Sequence, residues 1–209
     1  MNHSSVYQYV PVANHPFLTR WYDFGCWILG LGPKFKKQVL DAVEIWDGAT
    51  ILDVGCGTGV LLELAKRKFP NSRVIGIDPD KPALALARSR TSRAGLDVEL
   101  HEAFAESLPL ADEESDFCFT SLALHHIPGN LKKQAIQEMY RVLKKGGWVV
   151  VADLGQTDSR LMRFILSFEP YAQGNLAGLI EKYLPEAGFK NLKLVGRKYP
   201  GIKILVGEK

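Results

Sequence analysis

Cysteine is scarce in this sequence. The 209 residues hold three, Cys26, Cys56 and Cys118. They lie far apart and form no C-x-x-C pair, so neither a zinc site nor a disulfide framework is expected. Reduced thiols fit a cytoplasmic protein. Long apolar runs are missing too, and none approaches the roughly 20 residues that span a bilayer. The first 20 residues do not pair a charged stretch with an apolar one, so no secretory leader is expected among them. Neither charge sign is in large excess: 26 Lys and Arg face 23 Asp and Glu, a formal net charge of +3. With a pI near 8.7 the chain is mildly basic, short of the level that marks a nucleic-acid protein. Repeats, low-complexity tracts and linkers are absent.

The remaining composition is globular. At 46% hydrophobic and 23% charged, 209 residues suffice for one substantial core. The expectation is a single domain over 1–209. A helical cap spans 1–46, a central core 50–154, and helices with a strand pair 155–209.

The stretch Ile51-Leu52-Asp53-Val54-Gly55-Cys56-Gly57-Thr58-Gly59 organises the rest. Its apolar start suits a buried strand, three glycines alternate through a turn, and a helix-forming run follows from Val60. Strand, Gly-rich turn and helix make the first half of a nucleotide-binding α/β unit. A side chain in the turn would hold the backbone away from a ligand. The helix start behind it offers free N–H groups. A dinucleotide fingerprint would place its last glycine at position 60, which is Val60. The third glycine comes one residue early, and Asp53 stands two residues before the first.

Along the chain, residues 17–31 are aromatic at helical spacing, through Phe17, Trp21, Phe24 and Ile28. They read as a cap on the domain edge or a lid over an apolar pocket. A helix over 34–47 buries Phe35, Val39, Ala42, Val43 and Trp46. Strand two, 73–78, ends in Asp78, a little over 20 residues past the first glycine, where a carboxylate can accept from ribose hydroxyls. Asp80 is the better cap for the helix that runs to Gly95. Strand three covers 97–101, and Phe104 after it reads as either core or ligand contact. Strand four and its exit run from Ser115 to His126. Asn130 is expected to cap the next helix, Lys144-Lys145 to lie at its end, and Gly146-Gly147 to stop it. Strand five covers 148–154. Helices at 158–168 and 175–187 and strands at 191–196 and 202–207 complete the chain. Alternating strands and helices give a mostly parallel sheet covered on both faces.

The order D-V-G-C-G-T-G, G-I-D-P-D, A-E-S-L-P-L, L-A-L-H-H and Y-R-V-L-K-K-G-G resembles the class I S-adenosylmethionine (SAM)-dependent methyltransferases. The resemblance spans about 34–209. Residues 17–31 also resemble the first helix of methyltransferases that act on quinone precursors, phospholipids and other small molecules. It implies an α/β fold: a three-layer α/β/α, Rossmann-like, mostly parallel seven-stranded sheet with an antiparallel terminal strand. It also implies SAM as cofactor, S-adenosylhomocysteine as product and no metal. The cofactor-binding residues it implies are Tyr22, Asp53, Gly55, Cys56, Gly57, Gly59, Asp78, Pro79, Ala105, Glu106, Ser121 and Leu122. Phe104 replaces an acid that the family often carries in the adenine loop.

The implied reaction is an in-line transfer of a methyl group to a small, partly apolar acceptor, where alignment does most of the work. A base is needed only if the acceptor must lose a proton. His125, His126 and Tyr22 are the candidates, and the residues do not choose between them. A nucleic-acid acceptor is disfavoured, because the basic residues are spread over helices and no N-P-P-Y motif occurs. An RNA methyltransferase, a non-catalytic SAM-binding protein and a nicotinamide oxidoreductase are the other readings. Peripheral membrane contact and oligomeric state stay open.

Overall fold

The computed structural model describes residues 31–155, 172–195, 199 and 201–209. The expectations for the N-terminal arm, for Tyr22 and nearly all of 17–31, and for a helix over 158–168 lie outside the described residues.

Seven strands form one sheet: β1 Thr50–Val54, β2 Arg73–Asp78, β3 Glu99–Glu102, β4 Ser115–Ser121, β5 Leu143–Leu154, β6 Lys190–Leu194 and β7 Ile202–Glu208. Their spatial order is β3-β2-β1-β4-β5-β7-β6. β1 to β5 pair in parallel, while β7 runs antiparallel to both β5 and β6. This is the expected fold, with its one antiparallel strand. The strand order reverses between β1 and β4, and their carboxyl ends define the switch point where such sheets bind ligands.

Alternation along β1 sorts the core. Ile51 faces one side with Phe35, Val39, Leu61, Leu62 and Phe117. Leu52 and Val54 face the other with Ile136, Met139 and Leu184. Each fully buried leucine or isoleucine stabilises the fold by about 1.5–3 kcal/mol relative to exposure. The first side is covered by α1 (Pro33–Leu40) and α2 (Val60–Lys68), with α3 (Lys81–Arg93) against α2. The second is covered by α4 (Gly129–Val142) and α6 (Leu179–Ala187), with the short α5 (Ala172–Leu176) beside them.

Several boundaries differ from the sequence reading. α1 stops at Leu40 rather than 47, and Trp46 is 53% exposed, edge-on to Phe117, instead of buried on a helix face. Asp41 ends the helix. Its N–H closes on Lys37, and its carboxylate is held by Lys37 and Lys68, the local competition that makes aspartate a poor helix interior residue. Asn130 is not the cap of α4. Pro128 is, with its carbonyl accepting from the Lys132 N–H at 2.8 Å. α4 ends at Val142, before Lys144-Lys145, because Leu143 already turns extended and pairs with Ser115. The Gly146-Gly147 pair then lies within a register shift at the start of β5. The expected 175–187 helix is two, divided at Gly178, whose φ of +82° favours glycine. Asp80 caps α3 as expected, its Oδ1 accepting from the Ala83 N–H at 3.1 Å.

Candidate functional site

β1 delivers the chain into the glycine turn at the switch point. The N–H groups of Gly55 and Cys56 donate to the Ile77 carbonyl on β2, at 2.8 and 3.1 Å. This ties the turn to the neighbouring strand tip. Gly55 has φ +74°, and a Cβ there would stand 2.3 Å from the Ala123 Cβ, so β4's exit loop presses on the turn. Gly57 has φ +54° and, among the described residues, nothing within 4 Å of where a Cβ would be. It is the open point of the turn. Gly59 is bare for packing: a Cβ would meet Ala87 of α3 at 2.9 Å. Cys56 is buried, and burial pushes its thiol well up, so it is a packed thiol rather than a nucleophile.

Asp78 sits at the tip of β2 with its carboxylate toward the turn. Its Oδ2 accepts from the Gly57 N–H at 2.8 Å and its Oδ1 from the Asp80 N–H at 2.9 Å. Burial pushes it up to about 6, opposed by those two bonds. Pro79 follows, half-buried, between Asp78 and the cap of α3. Asp53 is 1% exposed, and its Oδ1 has no hydrogen-bond partner among the described residues. Burial pushes it up to about 7, with the Asp78 charge adding and Lys36 opposing. Buried polar atoms are nearly always paired, so such an orphan calls for an explanation.

Ser121 ends β4, and Leu122 follows in the left-handed region at φ +59°, its N–H held by the Ala152 carbonyl at 2.8 Å. A leucine there is a backbone outlier of the kind found at functional sites. Lys36 of α1 reaches Ser121, its Nζ donating to the carbonyl at 3.2 Å and to Oγ at 3.0 Å. The sequence reading missed Lys36. The contact joins residues 85 apart, and no motif links them.

Beyond Leu122, a single 3-10 turn, Leu124–His126, carries both histidines. His125 Nδ1 lies 2.7 Å from Asp153 Oδ1 at the end of β5. Asp153 also accepts from the N–H groups of Ala123, Leu124 and Leu154 and from Asn175 Nδ2. Burial alone would push Asp153 up, but His125, the Leu154 N–H and Lys132 hold it below the usual carboxylate range. Asp153 thereby orients the His125 ring through Nδ1 and turns Nε2 away from the carboxylate. Lys132 is fully buried and donates to Asn175, and burial lowers it to about 8. His126 stacks against His125 with ring centroids 4.0 Å apart. Burial, then His125, lowers it to about 3, so it is neutral and a weak base near pH 7. The Asp153–Asn175–Lys132 set was not foreseen, since its members come from three separate elements.

Ala105 and Glu106 lie in the bend after β3, half-buried. The Glu106 carbonyl accepts from Gln134, while Arg141 and Glu138 of α4 pin Leu108 and Leu110 just beyond. Phe104 is 43% exposed, which overturns its reading as core. The structure therefore gathers Asp53, Gly55, Cys56, Gly57, Gly59, Asp78, Pro79, Ser121 and Leu122 at the adjacent tips of β2, β1 and β4. Ala105 and Glu106 follow the next strand tip. Among the described residues, no group of three His, Cys, Asp or Glu is placed to hold a metal ion.

Residues 51–147 match the sequence profile of a family described as "Methyltransferase domain". The chain is 36% identical over 136 residues to a biotin biosynthesis bifunctional protein of Teredinibacter turnerae, covering 58% of this chain and 24% of that one. It is 28% identical over 158 residues to a ubiquinone/menaquinone biosynthesis C-methyltransferase of Geobacter sulfurreducens, covering 74% of this chain and 59% of that one. The chain thus spans less than two thirds of the length of either relative. Its fold is that of a SAM-dependent methyltransferase from Thermotoga maritima, with TM-score 0.70, 21% identity, and coverage of 93% and 97% of the two chains. Profile, sheet order and glycine turn agree: residues 51–147 carry the likeness to a methyltransferase domain, on a sheet of the expected strand order.

Proposed function

We propose that this chain binds SAM at the switch point and transfers its methyl group to a small, partly apolar acceptor, releasing S-adenosylhomocysteine. The observation that carries this reading is the glycine turn itself: Gly57 open to approach, Asp78 fixed against it, and Asp53 buried with an oxygen to spare. The residues fit the group. The open backbone at Gly57 admits a nucleoside, Asp78 can still accept from ribose hydroxyls, and the orphan oxygen of Asp53 suits an ammonium. Cys56, Gly55, Gly59 and Pro79 shape this cradle, Ser121 and Leu122 form its wall at β4, and Ala105 and Glu106 border the base. Tyr22 would join from the N-terminal cap, within a single domain over 1–209. No metal has a part in this reading.

When bound, SAM supplies an activated methyl group on a sulfonium. The protein then has to align the acceptor and exclude water, and alignment can be worth ~7–11 kcal/mol. His125 is the proton acceptor we favour for an acceptor that must lose a proton, because Asp153 orients its ring and His126 is too weak a base. The Geobacter relative's name points to a quinone-type ring as the first acceptor to try. None of the helices among the described residues is long and apolar enough to cross a membrane, so such an acceptor would be met at a membrane surface or in solution, and we place the protein in the cytoplasm. Calorimetry with SAM and S-adenosylhomocysteine, followed by methyl transfer from labelled SAM to a demethylated menaquinol, tests the reading. An absence of binding to both nucleosides defeats it.

A further inference from the structure

Lys132 is a buried charge that the proposed chemistry leaves without a task. It is 0% exposed and stands in the first turn of α4. Both placements are unfavourable. Burial strips an ammonium of water, and the positive end of a helix repels a cation. A residue that breaks two local rules at once points to a compensating role. Its neighbours supply one. Lys132 Nζ donates to Asn175 Oδ1, and Asn175 Nδ2 donates to Asp153 Oδ1 at 3.1 Å. The same carboxylate oxygen lies 2.7 Å from His125 Nδ1. An ammonium can only donate. It therefore turns the amide oxygen of Asn175 toward itself and the NH2 toward the acid.

A neutral amide thus separates a buried cation from a buried anion. Burial lowers Lys132 to about 8 and the Asp153 charge opposes that fall, so the ammonium persists at pH 7. Its charge acts in turn on Asp153, which His125 foremost and Lys132 also hold down against burial. It reaches the histidine turn as well, where burial, His125 and Lys132 lower His126. Glu181 of α6 and Lys203 of β7 line the same small cavity as Asp153, but they pair with each other at 2.5 Å. A carboxylate alone beside an imidazole draws a proton onto the ring. A ring already protonated cannot take a proton from a methyl acceptor. With an ammonium beyond the carboxylate, protonating the ring sets two cations around one anion in a buried site. Resting on the methyltransferase reading, in which His125 is the proton acceptor, we infer that Lys132 is a positioning residue for it. Through Asn175 its buried charge offsets that of Asp153 and keeps His125 the neutral ring that can take a proton.

The test reads the ring itself and needs no methyl acceptor. The full chain, labelled at histidine, is titrated by NMR, with the His125 ring assigned by its absence in His125→Asn. We expect Lys132→Met to move the His125 midpoint up by about one pH unit, a tenfold change in proton affinity. That variant leaves the Asn175 oxygen without its donor. The double variant Lys132→Met/Asn175→Leu removes both polar partners and keeps their shape, which is far less disruptive to folding. It should move the midpoint the same way. Lys133→Met, at the exposed neighbouring position paired with Glu186, should titrate as wild type. A midpoint unmoved or lowered in both Lys132 variants overturns the inference and leaves the methyltransferase reading standing. So does an equal rise in Lys133→Met, which would show that no particular lysine is required. Calorimetry on the wild type is the separate arm. A chain that binds neither SAM nor S-adenosylhomocysteine defeats the methyltransferase reading itself, and the inference with it.

Discussion

Asp53 and Asp153 are buried to nearly the same degree, at 1% and 2% exposure, near the ends of β1 and β5. Their surroundings are opposite. Asp153 accepts from three backbone N–H groups, from His125 and from Asn175, and stays below the usual carboxylate range. Asp53 has an orphan oxygen and is pushed up to about 7. Burial costs both, and what differs is whether the fold supplies donors. At β5 the fold itself supplies the carboxylate with donors, so Asp153 needs none from a ligand. At β1 the backbone is open and a carboxylate waits. The contrast separates a region built to position a side chain from a region built to receive a molecule. The two meet where Gly55 touches Ala123.

The largest way to break this contrast is at its finished end. His125→Asn should lower turnover of a demethylated menaquinol by roughly 10²–10⁴ if proton removal is required. SAM affinity, measured by calorimetry, should stay within about twofold. A parallel loss of affinity would mean that the two regions are one.

Next comes the open end. Gly57→Val would fill the approach and force a β-branched residue to φ +54°. We expect SAM binding to fall below detection by calorimetry, with circular dichroism and cooperative melting retained. Retained affinity would mean that the cofactor does not pass over the turn.

A smaller change should follow at Asp78. Asp78→Ala is expected to weaken SAM binding roughly tenfold to a hundredfold. Asp78 also accepts from the Gly57 and Asp80 N–H groups, and removing it strands both donors. A measurable drop in melting temperature is therefore expected too. By contrast, Asp80→Ala should cost about 0.5–2 kcal/mol of stability in urea titration through the lost cap, and little affinity.

A further expected effect is a pH dependence. A carboxyl raised in the folded state binds its proton more tightly there than in the unfolded chain. Its stabilising contribution is full below the ordinary value of 3.8 and is lost as pH rises through about 7. Asp53→Asn removes that loss. Between pH 5 and pH 8, urea unfolding should show the variant gaining on the wild type by on the order of 1–3 kcal/mol. A constant difference across that range would show that Asp53 is not the titrating group.

The open end was legible because its signal is local. Glycines alternating behind an acid report a turn whose backbone must be approached, and Asp78 follows from strand length. The caps and breaks were less so. Asp80 was found because a cap acts within three residues. Pro128 displaced Asn130, and Gly178 divided a helix, because φ/ψ choices at a helix start or stop depend on how neighbouring elements dock. At the finished end the histidines were legible but their partners were not: His125 and Asp153 are 28 residues apart, and Lys132 and Asn175 are 43 apart.

By itself the sequence determined the seven-stranded order of elements, the glycine turn and the acids beside it, since periodicity and glycine spacing act through neighbours in the chain. Only the tertiary structure decided which acid is paired and which is left waiting. It also decided that Lys36, 85 residues from Ser121, reaches the site. Those outcomes depend on which strand tips stand side by side, and that is set by the packing of the whole sheet rather than by any stretch of it.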